Sequence, residues 1–196
     1  PEIISDCDGY YVVKKDLWDL KFDAADVKAN HQPGHTHADA LSFELSVGTQ
    51  RFFVNSGIST YHDLQARQEQ RSTSAHNALV IDGKNSSDVW SKFRLAARAK
   101  ILNRSVIQNE KEIVLSASHD GYKSLKSSLI RTRRIGVFEN SIKIQDIVEG
   151  GNQHNVELFF YLHPDIEVVQ KGKDLFLNSA DQKLKLIFSS DFEIKD

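Results

Sequence analysis

The chain has 196 residues, 40% of them hydrophobic, enough to bury a core without disulfide staples. Charge is balanced, 25 Lys+Arg against 27 Asp+Glu for a net −2, so no basic excess exists to hold a phosphate backbone, and nucleic acid is not an expected partner. The single cysteine, Cys7, cannot close an internal disulfide, and no apolar run approaches the roughly 20 residues of a membrane helix.

The opening Pro1-Glu2-Ile3-Ile4-Ser5-Asp6 lacks the pattern of a signal peptide, and no methionine occurs anywhere. The expectation is a piece of a longer chain, with any export signal upstream. In chain order, β-rich runs fall at Tyr10–Val13, Leu17–Phe22, Leu41–Val47 and Arg51–Val54. Leu41, Phe43, Leu45 and Val47 alternate with polar residues, which reads as a half-buried strand. Asp63–Arg71 is short, polar and the only helical stretch. Leu79–Ile81 follows, then Glu112–Ser118, where Ile113, Leu115 and Ala117 alternate in the same way. Ser141–Val148, Val156–Leu162, Ile166–Val169, Leu175–Leu177 and Leu184–Phe188 complete the set.

Turn signals separate these runs: Gly48-Thr49-Gln50, Asp82-Gly83-Lys84-Asn85, Glu139-Asn140, Gly150-Gly151-Asn152 and Lys171-Gly172-Lys173. About a dozen short strands at this spacing predict an all-β antiparallel sandwich with one short helix. With no repeat, linker or low-complexity tract in view, residues 1–196 read as a single domain.

Polar residues with chemical potential crowd into Gly34–Arg98. In Gly34-His35-Thr36-His37-Ala38-Asp39, an extended backbone would project His35, His37 and Asp39 from one face. Two imidazoles held so can bind a metal, or divide the work between a metal and a substrate; zinc takes His nitrogen and carboxylate oxygen. Alone, the pair reads better as two surface histidines opening a strand. The company raises it: Val54-Asn55-Ser56-Gly57, then Tyr61, then Arg71-Ser72-Thr73-Ser74-Ala75-His76-Asn77 leading into a strand. Polar side chains entering a strand must find partners, so His76 is a bonded core histidine or part of a site.

Taken jointly, these segments resemble the heparinase II/III family. The resemblance rests on Gly34-His35-Thr36-His37-Ala38-Asp39-Ala40-Leu41-Ser42-Phe43-Glu44-Leu45, on Val54-Asn55-Ser56-Gly57 with Thr60-Tyr61, and on Arg71-Ser72-Thr73 with Ala75-His76-Asn77. Asp82-Gly83, Ser87, Trp90, Phe93-Arg94, Arg98, His119-Asp120-Gly121-Tyr122 and Leu162-His163-Pro164 continue it, in order, from about Gly9 to Pro164.

That resemblance implies the C-terminal β-sandwich of a polysaccharide lyase whose N-terminal α/α toroid lies upstream and forms the other cleft wall. It implies β-elimination on a uronic-acid-containing polysaccharide, which needs the uronate carboxylate neutralised and a base and acid near the ring. By position His35 is the sandwich's catalytic histidine, as base or charge neutraliser. His37, Asn55 and His76 match the zinc ligands. Asn55 stands where the family has Asp; a neutral amide oxygen is a poorer ligand, leaving a weak zinc site or an empty one. Asp39 is placed to compensate, or to orient an imidazole.

Tyr61, Arg71 and Asn77 are candidates to line the cleft and bind substrate, Arg71 by bidentate contact with uronate or sulfate, or else as a structural ion pair. Trp90 and Phe93 read as core, and Glu44 as a solvated or hydrogen-bonded residue. The expected partners are an acidic polysaccharide and the missing toroid, the expected compartment periplasmic or secreted, and the isolated domain is expected to be inactive. Two alternatives stay open: a non-catalytic carbohydrate-binding or structural module, and a cupin-like metal oxygenase, whose motif also begins His-x-His but wants a Glu closer than Glu44.

Overall fold

A computed structural model describes residues 2–27, 33–125, 128–151 and 153–189. The chain opens as an antiparallel meander of β1 (Glu2–Cys7), β2 (Tyr10–Lys15), β3 (Trp18–Asp23), β4 (Phe43–Val47) and β5 (Gln50–Phe53), paired in that order. Tight turns set the register. Asp8 and Gly9, both at positive φ, join the first pair so that Cys7 faces Tyr10. Alternation does the rest: Leu20 pairs with Leu45 and Phe22 with Phe43, and all four are buried on one face.

The single α-helix among the described residues, α1 (Leu64–Gln70), lies within the predicted Asp63–Arg71, whose end residues are its caps. Asp63 caps the N-terminus by accepting the Ala66 amide at 3.0 Å, and Arg71 closes the C-terminus. Next come β6 (Leu79–Ile81) and a small hairpin of β7 (Val89–Trp90) with β8 (Arg94–Leu95). The second large sheet holds β9 (Ile101–Gln108), β10 (Ile113–Tyr122), β11 (Leu129–Val137) and β12 (Ile142–Glu149) in the order β12-β11-β10-β9. β13 (Val156–Leu158) pairs with β6, and β14 (Glu167–Lys171), β15 (Asp174–Asn178) and β16 (Lys183–Leu186) form a closing meander. Of the predicted turn at Gly150-Gly151-Asn152, the last residue lies outside the described ones.

Two sheets pack face to face. Val13, Leu20, Phe22, Phe43 and Leu45 of the first meet Ile113, Leu115, Ala117, Ile135 and Val137 of the second, joined by Ile166 and Leu177. Each large side chain so buried contributes about 1.5–3 kcal/mol relative to exposure. The all-β antiparallel sandwich expected from the sequence is therefore what forms.

Five strands escaped the pattern reading: β1, the two-residue β7 and β8, and the long β9 and β11, these last two for opposite reasons. β9 is an edge strand with seven of eight residues exposed, so no apolar face marks it. β11 does alternate, but its inward positions include Arg131 and Arg133, both fully buried. Asp146 of β12 neutralises the pair, at 2.9 Å from Arg131 Nη2 and 2.8 Å from Arg133 Nη2. Arg131 donates onward to the carbonyl of Ala40, and Arg133 to those of Leu41 and Asn77. A buried charge cluster thus grips the loop that follows β3.

Candidate functional site

That loop, running to β4, is not the extended segment the sequence suggested. Pro33–His35 is a 3-10 turn, and Leu41 sits at φ 63°. A bulky residue in the left-handed region costs on the order of 1–3 kcal/mol. Leu41 is held there by burial of its side chain, by its amide on the Asp23 carbonyl (2.8 Å) and by Arg133 on its own carbonyl (2.8 Å). Consequently His35, His37 and Asp39 do not share one face: His35 is exposed beside Tyr61, while His37 and Asp39 gather with His76.

His76 follows the 3-10 turn Thr73–Ala75 and is fully buried. Its Nε2 lies 3.2 Å from Nδ1 of His37, with ring centroids 5.1 Å apart. One ligand atom from each of His37, Asp39 and His76 falls within 4.8 Å of the others, a grouping that could hold a metal ion. The spacing is chemically apt, since two nitrogens on one tetrahedral zinc at roughly 2.0–2.1 Å stand about 3.3 Å apart. Nδ1 of His76 is buried with no partner among the described residues.

Electrostatics favours neutral rings. Burial pushes both His37 and His76 down to about 4. At His37 the nearby Asp39 opposes this shift, while His76, Arg67 and Arg71 reinforce it. Neutral imidazole is the form that ligates metal, so no proton has to leave near neutral pH. Burial raises the carboxyl of Asp39, and raises its neighbour Asp23 to about 8, with Asp39 the second cause. A cation here would relieve that crowding of acids.

The remaining sequence candidates divide. Asn55 is half-buried and its Oδ1 accepts the Gly57 amide at 2.9 Å, closing a turn; the carboxylate beside the two imidazoles is Asp39. Tyr61 is 46% exposed, stacked on Phe93 at 6.3 Å and edge-on to His35 at 6.0 Å. Arg71 and Asn77 do not line a cleft. Arg71 is fully buried and its guanidinium donates to the carbonyls of Thr36, Lys92 and Arg94. Asn77 is 1% exposed; its amide donates to Phe43 and Val54 carbonyls and accepts from Tyr161 N–H. Both side chains tie backbone segments together, because buried backbone without a ladder needs such partners.

Trp90 and Phe93 correct the sequence reading in the other direction. Both are 46% exposed instead of core, on the hairpin of β7 and β8. Phe93 covers Tyr61, and Arg94 lies over the Trp90 ring at 4.8 Å. A signal was available: Ser91, Lys92 and Arg94 surround them, and a two-residue strand offers no buried face. Arg67 was missed altogether. Its guanidinium sits 4.8 Å from the Tyr61 ring centre and 5.8 Å from that of Phe93, and Nη2 donates to the Gly34 carbonyl at 2.9 Å. A separate cavity of about 520 Å³, lined by Asn85, Ser87, Trp90, Gly121 and Tyr122 among others, contains none of these histidines.

Two solved structures share this architecture. A mutant of the heparan sulfate lyase HepC from Pedobacter heparinus superposes with TM-score 0.70 at 19% identity, covering 89% of this chain and 26% of that one. The heparinase III product of gene BT4657 gives TM-score 0.70 at 19% identity, covering 90% of this chain and 27% of that one. The chain thus spans about a quarter of the length of these structural neighbours. No curated protein sequence matches it. The order of the motifs, the sandwich that carries them and a match of the family's own profile over residues 8–195 agree: the chain belongs to the heparinase II/III-like, C-terminal family.

Proposed function

We propose that this chain is one domain, the sandwich wall of a polysaccharide lyase whose other wall is an N-terminal α/α toroid, and that the whole enzyme cleaves a uronic-acid-containing polysaccharide by β-elimination. One observation carries the reading: His35 is exposed and set against Tyr61, while His37, Asp39 and His76 form a separate group behind the same loop.

In this reaction the proton on C5, beside the uronate carboxylate, is removed and the sugar on O4 leaves with its bonding electrons. The C4–O4 bond breaks as a C4–C5 double bond forms. Charge develops on the carboxylate, so a cationic or hydrogen-bonding group there lowers the barrier. His35 takes the role of base or of charge neutraliser, and Tyr61, its ring centre 6.0 Å away, lines the cleft beside it. His37, Asp39 and His76 would hold a zinc ion, which would supply a fixed positive charge there. The acidic substrate and the export of the whole protein to the periplasm or the medium are parts of the same proposal.

The oxygenase alternative loses its carboxylate, because Glu44 pairs with Arg51 at 2.9 Å on β4 and β5. The test is the ultraviolet absorbance of the unsaturated product when the longer protein is mixed with a panel of uronate polysaccharides. Absorbance rises with the wild-type protein and falls by roughly 100-fold or more in His35→Ala. Full activity in that variant removes His35 from the chemistry. A flat trace across the panel, with binding retained, identifies a carbohydrate-binding module instead.

A further inference from the structure

Four arginines are fully buried, and three have their charge answered. Arg131 and Arg133 share Asp146, and Arg71 is ringed by three carbonyls. Arg67 differs. Only Nη2 has a protein acceptor, the carbonyl of Gly34; Nε and Nη1 are buried with no hydrogen-bond partner among the described residues. Each such orphaned donor costs about 1–3 kcal/mol, and more for a charged group. Folding does not retain that cost without compensation, and the compensation visible here is two aromatic rings.

Those rings are a thin cover. Tyr61 and Phe93 shut Arg67 off from solvent, yet each is 46% exposed, so the guanidinium lies one ring layer below the surface. Exposed side chains change rotamer within nanoseconds, whereas the guanidinium is fixed from behind by Gly34. The surroundings are cationic: the charge of Arg67 disfavours that of Arg71, and both press on His37. His35 stands at the edge of Tyr61, so the cover borders the proposed reaction centre.

We infer that Arg67 is a covered receptor for an oxyanion, the carboxylate or sulfate ester of a sugar, which displaces the Tyr61–Phe93 pair and accepts a hydrogen bond from Nε or from Nη1. The anion's place on a sugar rests on the function proposed above; the receptor itself rests on the two unanswered donors. Arginine suits this task because its planar, weakly hydrated cation matches carboxylate and sulfate oxygens. Arg67 thereby becomes a specificity residue, selecting charged sugars over neutral ones next to His35.

The test follows the Arg67 Nε–H resonance by NMR in the 196-residue chain during titration with sodium sulfate, sodium glucuronate, glucose and, for ionic strength, sodium chloride. Saturable shifts with sulfate, with glucuronate or with both support the receptor, and the pattern says whether sulfate ester or uronate is read. Glucose and chloride leave the resonance in place. Arg67→Gln, which lacks that resonance and is followed through the Tyr61 and Phe93 ring protons, abolishes saturable binding; because it also removes the Gly34 bond, Phe93→Ala is the second variant, read at Arg67 Nε–H, and it raises anion affinity several-fold by thinning the cover. No shift with either oxyanion overturns the inference, and so does equal affinity in wild type and both variants. Binding is read without turnover, so an inactive enzyme leaves the receptor standing. An active one whose KM for polysaccharide is unchanged in both variants sinks the receptor alone.

Discussion

Two imidazole nitrogens 3.2 Å apart in a buried setting must share a proton, share a metal or repel. Since His37 and His76 are both pushed down to about 4, the shared-metal state needs no deprotonation near neutral pH. With Asp39 as the anionic member, dialysis against zinc followed by elemental analysis is expected to find one ion per chain. His37→Ala and Asp39→Asn each weaken binding by at least about tenfold. Asn55→Ala retains it, because that amide oxygen already serves Gly57. Zinc held equally by the wild type and by Asp39→Asn would return the ligand role to Asn55. Residue types alone revealed the histidines. Whether Asn55 or Asp39 supplied the oxygen depended on a turn at Leu41 that no spacing rule predicts.

At the scale of elements, β11 and β12 do unusual work for an inner sheet. Arg131, Arg133 and Asp146 replace apolar packing with a charge cluster whose spare donors hold Ala40, Leu41 and Asn77 carbonyls. Removing one member of a buried pair leaves uncompensated charge, so Asp146→Ala is expected to cost about 3–5 kcal/mol in urea unfolding. Because those carbonyls flank His37 and His76 in sequence, the same variant weakens zinc binding in the fraction that remains folded. Stability within about 0.5 kcal/mol of wild type would contradict this account. The alternating strands β4 and β10 were legible from periodicity. β11 was not, since arginine at an inward position looks like solvent exposure until its partner on the next strand is known.

For the whole molecule, burial of neutral histidines sets the response to acid. His119 is fully buried, its Nδ1 accepts the Gly121 amide at 3.0 Å, and burial, with help from Arg131, pushes it down from 6.5 to about 3. The unfolded chain takes up this proton near 6.5 while the folded one refuses it until about 3. The contribution of His119 to stability therefore declines as pH falls through that window and is level above it, while Asp23, raised by burial to about 8, contributes with the opposite sign. His37 and His76 add the same sign down to about 4 in the metal-free chain. With melting temperature followed from pH 7 downward, His119→Gln is expected to lose less, relative to its own value at pH 7, than the wild type does. Identical slopes would mean that His119 is already protonated in the fold.

Period-two alternation and turn residues were enough to predict an all-β sandwich with one short helix. These are local quantities, set within a few residues of one another. The ordered motifs were enough to place the chain in its family. The interior of the site was decided elsewhere. Arg71 and Asn77 turned inward to satisfy backbone, Phe93 and Trp90 turned outward, and Asp39 joined His37 and His76. Each of those outcomes depends on which buried carbonyl or ring lies across the fold, and on the cost of leaving a polar group unpaired there. That energy belongs to contacts between segments tens of residues apart, and it is written only in the folded molecule.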